Sequence, residues 1–142
     1  MTRHMPEAWS LHPQLEADTV PVGDLALSRV VALNVADYPW LILVPRLAGA
    51  VEIADLVPGD AVRLMEEIAL ASRALRAVTG CGKLNVAAIG NVVPQLHVHI
   101  VARWKTDPLW PKPVWGQPTR AGSADRFLGF IGDIRQCLQI TG

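Results

Sequence analysis

Gly90-Asn91-Val92-Val93-Pro94-Gln95-Leu96-His97-Val98-His99-Ile100-Val101-Ala102-Arg103 is the stretch whose reading decides the fold. Its second half is rich in β-branched residues and favours an extended strand, in which alternate side chains point to opposite faces. Gln95, His97 and His99 then share one face, and Leu96, Val98 and Ile100 share the other. The apolar set reads as core. The polar set either needs partners or does chemistry, and it holds two of the chain's four histidines.

Working upstream, Gly90-Asn91 suits a two-residue hairpin turn, which makes Lys83 to Ile89 a strand antiparallel to the histidine strand. Before it, Leu64, Ile68, Ala71, Leu75 and Val78 recur at helical spacing and predict a helix from about Pro58 to Val78. Pro58 suits its first turn, Asp60 the positive end of its dipole and Gly80 its stop. Asp60, Glu66 and Glu67 read as its wet face. Leu25 to Leu33 and Trp40 to Val44 read as two further strands joined by a loop, Asn34 to Pro39. The unbroken apolar run of the second implies a strand covered on both sides, or by helices on one. Met1 to Asp18 shows no clear period.

Downstream the composition changes. Asp107 to Pro118 holds four prolines and two tryptophans, which makes it a stiff loop. The tryptophans either staple this segment to the core or wall a pocket beside the histidines. A last helix spans about Ser123 to Gln139, with Ser123 as N-cap and Phe127, Phe130, Ile131, Ile134 and Leu138 on one face. The order predicts an α+β fold, mainly antiparallel, with two principal helices. It forms a single domain over 1–142, with a core at about 25–104 and the loop and last helix at 105–142.

At 142 residues and 51% hydrophobic content the chain suffices for one core and not two. Thirteen basic and thirteen acidic residues balance, which argues against nucleic-acid and membrane-surface partners. Neutrality does not oppose a small phosphorylated ligand. No secretory leader or membrane-spanning run is visible, so a soluble cytoplasmic protein is expected. Cys81 and Cys137 are far apart, without metal-type spacing, and read as reduced thiols. No phosphate-cradling glycine loop, serine elbow or separated carboxylate pair is present.

Three chemistries fit His97 and His99. They are ordinary polar strand positions, or half of a metal site, or a nucleophile and its helper. A metal would need a third ligand, for which only His4 and His12 offer imidazoles, both from an irregular arm. Near neutral pH an unprotonated imidazole is an available nucleophile for phosphorus. A neighbouring histidine on the same face can hydrogen-bond the phosphate or the leaving group. Lys83, Arg103 and Lys105 are by default solvated charges. Arg103 shares the histidines' parity and is the best single candidate for a phosphate contact.

The run from Gly90 to Arg103 resembles the signature of the histidine triad (HIT) superfamily, which alternates three histidines with apolar residues after a glycine-containing turn. The resemblance takes in Asn34, the apolar strand ending in Val44-Pro45, the helix, and Asn85, over roughly Ser28 to Arg103. It implies a homodimer whose antiparallel sheet binds a small-molecule nucleotide. The implied activity is that of a nucleotide hydrolase or nucleotidyl transferase working through a covalent nucleotidyl-histidine. By position His97 is the nucleophile, and His99 hydrogen-bonds the phosphate or leaving group. Asn34 matches a ribose contact and Asn85 a residue near the phosphates, with Asn91 and Arg103 completing the implied nucleotide-binding set. Dinucleoside polyphosphates and nucleoside phosphoramidates are the implied substrates. No cofactor is required, although a divalent cation can accompany a polyphosphate. The chain departs from the pattern at Gln95, which stands at the first triad position and cannot titrate. It departs again at Leu41, where a further histidine is often found. A non-catalytic nucleotide-binding module is the rival reading.

Overall fold

A computed structural model describes residues 8–142. Five antiparallel strands form one sheet in the order β1-β2-β3-β5-β4. They are β1 (Val20–Asp24), β2 (Ser28–Leu33), β3 (Trp40–Pro45), β4 (Lys83–Ala87) and β5 (Val98–Arg103). Three α-helices accompany them: α1 (Pro13–Asp18), α2 (Pro58–Thr79) and α3 (Ala124–Leu138). No helix among the described residues is long and apolar enough to cross a membrane.

Alternation along the strands sorts side chains into two cores. Leu41 and Leu43 of β3, with Val98, Ile100 and Ala102 of β5, meet Leu64, Ile68, Ala71 and Leu75 of α2 and Ile131 and Ile134 of α3. On the opposite face Trp40, Ile42, Val44 and Val101 pack with Leu15 of α1 and Val114 of the proline-rich loop. Every residue of β3 is therefore buried, as its unbroken apolar run implies. Both long helices end as expected: Gly80 caps α2 in the left-handed conformation, and Ser123 Oγ accepts from Arg126 N at the start of α3.

Two elements escape sequence periodicity. Helix α1 has only six residues, too few to show a helical stripe, and His12 caps it through Nδ1, which accepts from Gln14 N. Strand β1 contains Pro21 and Gly23, which ordinarily argue against a strand. It lies at the sheet edge, where the register shifts between those two residues, and Arg135 of α3 donates to the carbonyls of Pro21 and Val22.

Glu67 corrects the wet-face reading of α2. It is only 4% exposed, and its carboxylate accepts from Leu27 N and Ser28 N at 2.9 Å each, closing the turn between β1 and β2. Glu67→Gln, which turns an NH2 toward one of these donors, is expected to lower unfolding free energy by about 1–3 kcal/mol. Urea denaturation measures it.

Candidate active site

The histidine strand begins later than its sequence suggests. β5 starts at Val98, opposite Leu43, so Gln95 and His97 precede the ladder and only His99 lies within it. Nor is Gly90-Asn91 a two-residue hairpin: residues 88–97 all lie between β4 and β5, although the strands do run antiparallel. The reason is burial. Val93 packs into one core and Leu96 into the other, and Leu96 N donates to Ala50 O rather than to a strand.

This departure positions His97. Its side chain is buried, and Nδ1 lies 2.7 Å from the carbonyl oxygen of Gln95. A carbonyl only accepts, so Nδ1 carries the proton and Nε2 keeps its lone pair. His99 has the opposite arrangement. The indole Nε1–H of Trp40 donates to His99 Nδ1 at 3.0 Å, which leaves the proton of the neutral ring on Nε2. The two imidazoles stand 4.9 Å apart between centroids, edge to face. One offers an electron pair and the other an N–H.

Tryptophans complete the surround. Trp40 and Trp115 each stand 5.7 Å from His99 and 5.7 Å from one another, all edge to face. Trp115 thus gives the proline-rich loop a place beside the histidines, whereas Trp110 stacks on Arg103. Burial first, then the nearby His97, lowers the His99 pKa from its ordinary 6.5 to about 4, so the ring is neutral at physiological pH. Sequence reading took Trp40 only as core. Its signal was parity: it pairs with Val101 and shares the face that presents His99.

The Gln95 side chain turns away from the two histidines and toward the segment before α1. Its Oε1 accepts from His12 N at 2.8 Å and its Nε2 donates to Ser10 O at 2.9 Å, so the amide clasps the segment before α1. Its contribution to His97 comes from its backbone carbonyl. Gln95→Ala is therefore expected to destabilise the fold by about 1–2 kcal/mol and to slow turnover less than about tenfold. Thermal melting and initial rates measure both.

The residues expected to bind nucleotide do not gather at the histidines. Arg103 is a correction to both its readings, being 1% exposed and neither solvated nor open to a phosphate. Its guanidinium is bidentate to Asp107 at 2.8 and 3.0 Å, donates to Asn85 Oδ1 at 2.9 Å, and lies between the rings of Tyr38 and Trp110. Asn85 is thereby engaged as the acceptor of Arg103. Asn34 exchanges two hydrogen bonds with the backbone of Gly122, accepting at 3.1 Å and donating at 3.2 Å. It lines a groove of about 700 Å³ with Arg120, Ser123 and Arg126, and neither histidine reaches that groove. Asn91 is exposed in the connection between β4 and β5. For a metal, no three His, Cys, Asp or Glu side chains converge among the described residues, and His4 lies outside them.

Known proteins give the same fold. A histidine triad protein from Bradyrhizobium japonicum is 51% identical, with a TM-score of 0.89 over 93% of this chain and 99% of that one. Another from Marinobacter aquaeolei is 38% identical, with a TM-score of 0.88 over 94% of this chain and 98% of that one. A third, from Sinorhizobium meliloti, is 39% identical, with a TM-score of 0.86 over 90% and 96%. No curated protein matches the chain. The model of the HIT domain family matches residues 14–106, more than half the chain. The chain therefore belongs to the HIT family.

Proposed function

We propose that the chain is a nucleotide hydrolase or nucleotidyl transferase that forms a covalent nucleotidyl intermediate on His97. The observation that carries this reading is the pair of hydrogen bonds that give His97 and His99 opposed tautomers on rings 4.9 Å apart between centroids. His97 Nε2 attacks the α-phosphorus as the bond to the leaving group breaks, and Nδ1 keeps its proton, donating it as a hydrogen bond to the Gln95 carbonyl and stabilising the ring as it becomes cationic. His99 donates its N–H to the phosphate or to the leaving oxygen, as a fixed dipole in a water-poor site does best. Water then attacks phosphorus and gives up a proton to the solvent, the P–N bond returns its electrons to His97 Nε2, and a nucleoside monophosphate leaves. The reaction as written needs no cofactor, and a divalent cation enters only as companion to a polyphosphate.

A nucleotide-binding module without turnover is the second reading, favoured by Gln95, which cannot titrate and whose amide bonds the backbone of Ser10 and His12. One experiment separates the two. The protein is incubated with dinucleoside polyphosphates, quenched, and weighed intact, while monophosphate release is followed in parallel. A nucleotidyl adduct that maps to His97, together with release, supports the enzyme. Binding without adduct or release supports the module.

We extend the proposal to a homodimer, supported by the open edge at β4 and the exposed Val86 and Ile89 on and just beyond it. Two unpaired cysteines, Cys81 and Cys137, support work in the reducing cytoplasm.

A further inference from the structure

The surroundings of His97 bear on which phosphorus bonds the site breaks. A leaving group departs either with a proton taken from a neighbouring acid or as an anion stable enough to go without one. Among the described residues, His97, Gln95 and His99 bear on this. His97 commits Nε2 to phosphorus, and its Nδ1 proton is held by the Gln95 carbonyl. Gln95 cannot titrate, and both ends of its amide are bonded to the backbone of Ser10 and His12. His99 accepts the Trp40 indole N–H at Nδ1, the one nitrogen where a second proton would make the ring an acid. Protonation there would break that bond or turn the ring against the edges of Trp40 and Trp115. A neutral imidazole N–H stabilises charge well, as an electrophile, but is far too weak an acid to hand over its proton at neutral pH.

We infer that this site is selective for leaving groups that depart as anions, above all the phosphate or nucleotide of a phosphoanhydride, and that Trp40 imposes this by holding His99 as a neutral donor. The inference rests on the covalent reading of His97. Burial of His99 acts in the same direction, keeping its ring uncharged. In the step itself His97 Nε2 gives its lone pair to the α-phosphorus, and the bond from phosphorus to the bridging oxygen breaks. That bond's electron pair stays on the oxygen, which leaves as a phosphate anion beneath the His99 N–H. No proton moves. An alkylamine phosphoramidate would instead have to release an amide anion, which is too basic to leave unprotonated, and among the described residues neither Gln95 nor His99, the two side chains that flank His97, is placed to supply the proton. Trp40 is a positioning residue in this scheme, since it acts through His99.

The test is a leaving-group series on one nucleoside monophosphate: a phosphoanhydride, a nitrophenyl ester and an alkylamine phosphoramidate. Wild type is expected to cleave the first two with kcat/KM at least about 100-fold above the third. Trp40→Phe keeps an aromatic ring and removes the N–H, and it is expected to narrow that ratio to under about tenfold. A phosphoramidate cleaved as fast as the anhydride, with a His97 adduct, overturns the inference and leaves the nucleotidyl-transfer reading standing. No turnover and no adduct with any of the three overturns that reading, and the inference with it. An unchanged ratio in a Trp40→Phe protein that melts like wild type removes Trp40 from the scheme. The wild-type series decides leaving-group selectivity even if the variant does not fold.

Discussion

Replacing His97 with alanine is expected to lower kcat for nucleotide cleavage by more than about four orders of magnitude while leaving nucleotide affinity within about tenfold. The substitution deletes the Nε2 lone pair and with it the covalent route. The hydrogen bond from Trp40 to His99 is untouched, so the N–H proposed to meet the phosphate stays in place. Some stability is lost as well, because the Gln95 carbonyl forfeits its partner at 2.7 Å. That loss should be about 1–2 kcal/mol, so the variant remains folded at assay temperature. Monophosphate release, calorimetry with a non-hydrolysable analogue and a thermal melt measure the three effects. A variant turning over at the wild-type rate would remove His97 from the nucleophile's role.

Arg103→Ala is expected to produce the largest loss of stability, about 3–5 kcal/mol, because it strands one half of a buried ion pair. Asp107 would keep its bonds from Trp104 N and Leu109 N but lose both from the guanidinium, and Asn85 would lose its donor. The damage should appear in denaturant midpoint and not in KM, which distinguishes an architectural arginine from a phosphate ligand. A loss under about 1 kcal/mol would show the pair to be dispensable. The same region makes the fold sensitive to acid. The hydrogen bond from Arg103 is the main cause that holds the Asp107 carboxyl below the usual carboxylate range, so its contribution exists above the ordinary 3.8 and fades as pH falls through the lowered value. His99 acts in a higher window. Below pH 6.5 the unfolded chain takes up a proton that the folded ring refuses until about 4, so stability declines between those values. The whole decline is at most about 3.5 kcal/mol, of which about 2 kcal/mol falls between pH 7 and pH 5, where denaturation tracks it.

What the sequence disclosed follows from how each feature is encoded. The two long helices, the strands from Ser28 onward and the antiparallel order are written in periodicity and in local stop signals such as Gly80 and Ser123. The histidine pair was legible because two imidazoles one residue apart stand out in an apolar run, although only His99 lies within β5 and His97 precedes it. Long-range partnerships carry no such period. Arg103 has the right parity for the site, yet its guanidinium is claimed by Asp107 one helical turn's distance along the chain and by Asn85 across the sheet. Glu67 looks like any helix-surface carboxylate until the turn at Leu27 and Ser28 folds onto it. Trp40 reads as an apolar strand residue, and its indole N–H gains meaning only from a histidine fifty-nine positions later. Leu41 drew notice as the place of a missing histidine, whereas the residue beside it is the one bonded to His99.

The proton on His97 is fixed by the main chain of residue 95, and every amino acid has a carbonyl. Mutational drift at that position can therefore change how firmly the preceding segment is fastened without disturbing the His97 tautomer. A glutamine at position 95 is, in this geometry, a matter of fastening, and under the proposed mechanism a count of histidines alone would misjudge whether the His97 lone pair stays available.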